Sequence, residues 1–146
     1  MLIFRYNGNL LASPAQTIVN TVNCVGVMGK GIALEFKRAY PAMYQDYVAR
    51  CRAQTVHPGR PYLYRDAYKQ ILNFPTKAHW RDESDLAWVQ AGLVAIREHY
   101  DAWGIQSLAI PPLGCGNGGL RWDVVRPIII EVLGDLPIAI EIYEPR

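Results

Sequence analysis

Along this chain, short β-branched apolar runs alternate with amphipathic stretches of helical period. Leu2-Ile3-Phe4-Arg5-Tyr6 is rich in strand formers and stops at the turn cluster Asn7-Gly8-Asn9. Thr17 to Val22 is a second such run, apolar enough to predict a strand covered on both faces. A glycine loop follows, Gly26-Val27-Met28-Gly29-Lys30-Gly31, and opens a helix predicted over Ile32 to Tyr40. Pro41 suits the first position of another helix carrying Tyr44, Tyr47, Val48 and Cys51. Tyr62-Leu63-Tyr64 and the run Gln70 to Phe74 then predict a hairpin. The clearest helical pattern places Leu86, Val89, Leu93, Ile96, Tyr100 and Trp103 at steps of 3, 4, 3, 4 and 3. Ser84 is its expected N-cap, with Asp85 in the first turn and Gly104 at C′. Ser107 to Ile110 predicts a buried strand, followed by Pro111-Pro112 and a second glycine loop, Gly114-Cys115-Gly116-Asn117-Gly118-Gly119. A helix near Trp122 to Leu133, with Pro127 early enough to be tolerated, and a strand over Ile138 to Tyr143 complete the pattern. Strands alternating with helices, with one hairpin between, predict an α/β fold with a mixed sheet between helical layers.

Composition narrows this to one soluble domain. The chain has 146 residues, 51% of them apolar and 19% charged, enough to bury roughly two thirds of its unfolded surface. It is too apolar for a disordered chain, and no apolar run approaches the ~20 residues of a membrane span. The N-terminus lacks the apolar stretch and cleavage site of a signal peptide, so the expected location is cytoplasmic, with no membrane partner. Cys24, Cys51 and Cys115 form no C-x-x-C pair, and His57, His79 and His99 lack ligand spacing, so no disulfide framework and no metal are expected.

Charge changes the picture more than its formal net value of +2 suggests. Residues 1–29 hold one base and no acid, residues 30–81 hold ten bases and three acids, and residues 82–146 hold four bases and ten acids. Such segregation can mark a nucleic-acid-facing surface, although blocks in sequence need not be patches in space.

Both glycine loops follow predicted strands and precede helices. In open α/β sheets, ligands sit beyond the carboxyl ends of the strands, where such loops offer backbone N–H groups and helix N-termini to phosphates. Two converging loops suit a diphosphate. A Walker A loop is excluded because Gly31 follows Lys30 and Cys24 stands at the leading glycine position. The second loop satisfies G-x-G-x-x-G, but only 27 residues follow Gly119, too few for a dinucleotide redox domain.

The run Ile18-Val19-Asn20-Thr21-Val22-Asn23, followed by Gly26 to Ala33, resembles the N-terminal signature of macrodomains, which bind ADP-ribose. Pro111-Pro112-Leu113-Gly114-Cys115-Gly116 resembles their second, phosphate-gripping loop. Phe74-Pro75-Thr76-Lys77 and the segment Leu120-Arg121-Trp122 are similar to the branch containing terminal ADP-ribose protein glycohydrolase, and most of all to the macrodomains of DarG antitoxins. The resemblance covers essentially the whole chain. It implies a three-layer α/β/α macrodomain over residues 1–146, alone or as the N-terminal part of a longer antitoxin. The implied activity is hydrolytic removal of ADP-ribose from thymidine bases of single-stranded DNA, opposing a DNA-modifying toxin. ADP-ribose would be ligand and product rather than cofactor, and the domain would act as a monomer with the cognate toxin as a partner. The alternatives are a non-catalytic ADP-ribose-binding module and a glycohydrolase acting on protein side chains.

Residue by residue, the resemblance implies that Asn23 bonds the distal ribose and is catalytic together with Lys77, and that Gly29, Lys30, Gly31 and Ile32 bracket ribose and diphosphate. The second loop, from Leu113 and Gly114 through Cys115, Gly116, Asn117, Gly118 and Gly119 to Leu120, would hold the phosphates from the other side. Asn9 and Leu10 would meet the adenine, Asn20 and Thr76 would line the site, and Tyr143 would stack on adenine or belong to the core. Lys77 matches the branch's catalytic lysine; a neutral lysine amine is a competent nucleophile, and the simpler alternative is a surface lysine on DNA phosphate. Two departures stand out. Gly118 occupies the place where protein-deconjugating relatives carry an acid, and Asn9 stands where macrodomains often have Asp. His79, Trp80 and Arg81 are candidate DNA contacts, with Lys30, Lys37 and Lys69 as further phosphate candidates, and an exposed Trp80 could stack on an unpaired base. The charge pattern adds one expectation: the basic surplus should surround the Lys77 mouth of the crevice.

Overall fold

The computed structural model describes residues 1–145. Six strands and four helices alternate: β1 (Leu2–Arg5), β2 (Thr17–Val22), α1 (Gly31–Ala39), α2 (Pro41–Arg52), β3 (Tyr62–Arg65), β4 (Gln70–Pro75), α3 (Leu86–His99), β5 (Ser107–Ile110), α4 (Trp122–Leu133) and β6 (Ala139–Tyr143). They form one sheet in the order β1-β6-β5-β2-β4-β3. Every neighbouring pair is parallel except the hairpin β3–β4, which runs antiparallel with Tyr62 opposite Asn73. The mixed sheet and its one hairpin, which forms an edge of the sheet, are those the alternating pattern predicts.

Each strand buries alternate residues in two different layers, which is the period-2 geometry of a strand. Val19, Leu72, Phe74, Leu108, Ile110, Ile140 and Ile142 meet Val89, Leu93 and Ile96 of α3 and Val125, Ile129 and Leu133 of α4. On the other face, Ile18, Val22, Ile71 and Ala109 meet Phe36 of α1 and Met43 and Tyr47 of α2. The two cores make a three-layer α/β/α sandwich.

Local boundaries differ from the sequence pattern in one informative place. The N-cap of α3 is Asp85, whose carboxylate accepts from Ala87 N–H at 2.8 Å, and not Ser84. Ser84 is buried, and its hydroxyl is turned inward to Thr76. At the other end, the helix stops at His99 and Tyr100 is its C-cap, so Trp103 lies beyond it and Gly104 closes the following turn at φ +70°. Pro41 does open α2, and α4 runs continuously through Pro127.

Because β1, β2, β4, β5 and β6 are all parallel, their carboxyl ends emerge on one side of the sheet. The segments that follow them form the wall of a single large cleft.

Candidate functional site

The cleft has a volume of about 950 Å³, at the upper end for small-molecule sites. After β1 come Gly8, Asn9 and Leu10, and after β2 come Asn23, Val27 and the first glycine loop. After β4 come Thr76, Lys77, Trp80 and Arg81, after β5 the second glycine loop, and Tyr143 closes the far end. One elongated pocket therefore joins the residues that sequence placed in separate motifs.

The first loop leads directly into α1. No side chain caps that helix at Lys30, so its first-turn N–H groups are left to the cleft, an arrangement that favours an anion. Gly31 adopts φ +57°, and a Cβ there would lie 3.2 Å from Asn117 Nδ2, so the two glycine loops meet across the cleft. The second loop is braced from behind: a Cβ on Gly114 would lie 2.5 Å from Leu120 Cδ1.

Asn23 is buried and most of its bonding capacity is used inside the first loop. Its Oδ1 accepts from Val25 N–H, Val27 N–H and the Tyr47 hydroxyl, and its Nδ2 donates to Val27 O at 2.7 Å. What remains for a ligand is one amide hydrogen. Asn9 uses its Oδ1 to accept from Leu11 N–H at 3.1 Å, with a second lone pair left over.

Lys77 follows the last residues of β4. Cys24 N–H donates to Ala78 O at 3.1 Å and the Cys24 thiol lies against Lys77 O, so the lysine backbone is tied to the end of β2. Among the described residues, the Lys77 amine has no hydrogen-bond or ion-pair partner. Beside it, the Arg81 guanidinium lies over the Trp80 ring at 4.6 Å, and Trp80 is 40% exposed.

Seven sequence candidates lie outside the cleft lining, among them the phosphate candidates Lys37 and Lys69. Asn20 is fully buried on the α1 and α2 side of the sheet, donating to Asn73 Oδ1 at 3.1 Å, because its position in β2 shares the face of Ile18 and Val22. Leu113 is in the core beneath α3 and α4, and Leu120 supports the second loop from behind. Gly119 ends the turn at φ +79° facing Glu83. His79 folds back on its own loop, its Nδ1 accepting from Arg81 N–H. Sequence reading missed Glu35, Glu144 and Ser84. The last was read as a helix cap, and only its packing shows that it faces the cleft.

The basic surplus does not gather at the mouth as its sequence position suggested. Of the ten bases in residues 30–81, Lys30, Lys77 and Arg81 line the cleft, accompanied by Glu35 and Glu144. Lys69 sits at the opposite end of the sheet, donating to Ser13 O and Ala15 O. The thiols are not activated: burial pushes Cys24 up to about 11, and raises Cys51 and Cys115 as well. Among the described residues, no group of three or more His, Cys, Asp or Glu side chains could hold a metal ion.

The pattern described as Macro domain matches residues 19–129. The chain belongs to the macrodomain family. This macrodomain is similar to a Thermus aquaticus protein named DNA ADP-ribosyl glycohydrolase, with 48% identity over 143 residues covering 94% of the chain and 40% of the relative. It superposes on the macrodomain of Mycobacterium tuberculosis DarG with a TM-score of 0.96 and 43% identity, covering 100% of this chain and 99% of that one. It also superposes on Thermosipho africanus DarTG in complex with ADP-ribose, with a TM-score of 0.91 and 38% identity over 98% of this macrodomain and 42% of that chain. The macrodomain spans about 40% of the length of the proteins named DNA ADP-ribosyl glycohydrolase, and of the transferase–glycohydrolase fusion protein, that it matches. No helix among its described residues is long and apolar enough to cross a membrane.

Proposed function

We propose that this macrodomain is a hydrolase that removes ADP-ribose from thymidine bases of single-stranded DNA, as the antitoxin part of a toxin–antitoxin pair. The observation that carries the reading is the Lys77 amine, unpaired among the described residues, in a cleft built from two glycine loops and an uncapped helix N-terminus. The similarity to DNA ADP-ribosyl glycohydrolases and to a DarTG complex with ADP-ribose supports the same ligand and a toxin partner. The domain acts in the cytoplasm as a monomer and forms part of a longer chain.

In this reading, ADP-ribose lies along the cleft with its diphosphate on the α1 N-terminus and the second loop, and its adenine toward Asn9 and Tyr143. The Lys77 amine attacks the anomeric carbon of the distal ribose. A C–N bond to lysine forms while the bond to the thymine nitrogen breaks; the base leaves with the electron pair and takes up the proton that the lysine nitrogen gives up. Water then adds to the same carbon, one of its protons passes to the lysine nitrogen as the C–N bond to lysine breaks, and ADP-ribose is released with the amine restored. ADP-ribose is thus product, and the chemistry asks for no cofactor. Trp80 and Arg81 flank the nucleotide next to the modified one.

The lack of a carboxylate in the second loop favours a second reading, a module that binds ADP-ribose without turnover. A time course with ADP-ribosylated oligonucleotide separates the two. Wild type should release ADP-ribose, and Lys77→Ala should bind ADP-ribose while losing release by about a thousandfold. Wild type that binds but releases nothing refutes the hydrolase. Release from an ADP-ribosylated protein but not from DNA moves the substrate to side chains.

A further inference from the structure

Ser84 is the cleft residue that the sequence pattern assigned elsewhere. Its hydroxyl donates to Thr76 Oγ1 at 3.1 Å, and its N–H donates to Gly118 O at 2.8 Å. The next residue, Asp85, donates its N–H to Thr76 O at 3.1 Å. Ser84 therefore joins the end of β4, where Lys77 follows Thr76, to the second glycine loop. Both hydroxyls are buried, Ser84 being 7% and Thr76 3% exposed, yet both line the cleft.

The packing around Ser84 leaves no room for a side chain at residue 118. Gly118 has an ordinary backbone conformation, but a Cβ there would lie 2.3 Å from Ser84 Oγ and 3.0 Å from Ser84 Cβ. The loop and the serine hydroxyl thus exclude one another as sources of a polar group at this wall. The carboxylates that line the cleft, Glu35 and Glu144, come from α1 and from the segment after β6.

We infer that Ser84 is a positioning residue for the hydrolysis. By donating to Thr76 Oγ1 it occupies an acceptor position on that oxygen and leaves the Thr76 proton to donate into the cleft beside Lys77. Thr76 is then the neutral donor at the glycosidic end, held in one rotamer, and Ser84 acts through it. The inference rests on the hydrolase reading above.

The test compares Ser84→Ala, Thr76→Val, Thr76→Ser and the Ser84→Ala/Thr76→Val pair, using ADP-ribosylated oligonucleotide for kcat and KM, free ADP-ribose for Kd, and thermal unfolding. Ser84→Ala should lower kcat about tenfold, the worth of one well-placed hydrogen bond, with KM and the ADP-ribose Kd within about twofold. Thr76→Val should lose at least as much, and Thr76→Ser should stay within about threefold of wild type. The double variant should be no slower than Thr76→Val, because the serine acts only through the threonine. Wild-type kcat in folded Ser84→Ala, or losses that multiply in the double variant, overturns the inference. Should Ser84→Ala not fold, Thr76→Val decides alone: wild-type kcat overturns the inference, and a loss that Thr76→Ser restores supports it. A wild-type protein that releases no ADP-ribose sinks the hydrolase reading instead, which these variants leave separable.

Discussion

Placing an acid in the second loop, Gly118→Asp, should damage this macrodomain, and the size of the effect follows from its packing. The new Cβ would meet Ser84 Oγ at 2.3 Å and Ser84 Cβ at 3.0 Å, far inside contact distance. Ser84 must move, which loses its hydrogen bond to Thr76, worth about 1 kcal/mol, and strains its N–H bond to Gly118 O. Overpacking a buried site adds roughly 1–3 kcal/mol. The sum, about 2–4 kcal/mol, corresponds to a fall in Tm of about 5–15 °C for a domain of this size. The carboxylate would also add negative charge to the cleft that takes the diphosphate, so ADP-ribose affinity should fall by about tenfold. Thermal unfolding and ADP-ribose calorimetry read the two effects. Gly118→Ala is the control, because it brings the same Cβ without charge and should keep most of the Tm loss. Adding Ser84→Gly should recover part of it. If Gly118→Asp and Gly118→Ala both melt and bind like wild type, Ser84 is not braced against the loop and the reasoning fails. A harmful Asp with a harmless Ala assigns the effect to charge alone.

Three further outcomes follow from other contacts. Trp80→Ala should raise KM for modified oligonucleotide about tenfold, the stacking worth of one base, while free ADP-ribose binds unchanged; an equal loss for both ligands would remove Trp80 from the DNA side. In Gly8→Ala the new methyl would lie 2.5 Å from Tyr143 Cε2, so the ring should be displaced and ADP-ribose affinity should drop about tenfold with the fold intact, as calorimetry and circular dichroism would show. Burial raises the Glu141 carboxyl, but hydrogen bonds from Ser13 and Arg5 and the Arg5 charge outweigh it and hold it below the usual carboxylate range. Its stabilising contribution is therefore complete above the unfolded-state value and is lost as pH falls through the folded one. Tm should drop more steeply between about pH 6 and about pH 3 in wild type than in Glu141→Gln, and parallel curves would refute this.

Much of the fold was legible in the sequence because strands and helices impose different periods on apolar residues. The run Thr17 to Val22 reads as a doubly covered strand, and it is the strand that pairs with both β4 and β5. The two glycine loops were legible because glycine-rich turns between a strand and a helix leave backbone N–H groups open, and both loops line the one cleft together with Lys77. Side-chain direction was not. Asn20 and Asn23 are three residues apart in one motif, yet only Asn23 reaches the cleft, because β2 turns Asn20 into the layer shared with α1 and α2 and ends before Asn23. Ten bases in one segment do not become one patch, because the hairpin carries Lys69 to the opposite end of the sheet from Lys77.

Ser84 marks the boundary most sharply. Local sequence allows either Ser84 or Asp85 to cap α3, since each offers a short oxygen-bearing side chain just before an apolar helical stripe. The choice is made outside the helix: Thr76, at the end of β4, and Gly118, in the second glycine loop, hold the serine inward, and the aspartate is left to cap. Sequence by itself thus determined the order of elements, the mixed sheet and the two loops, all consequences of local period and turn chemistry. Tertiary structure alone decided which polar side chains face the cleft, because that depends on which distant backbone each one meets.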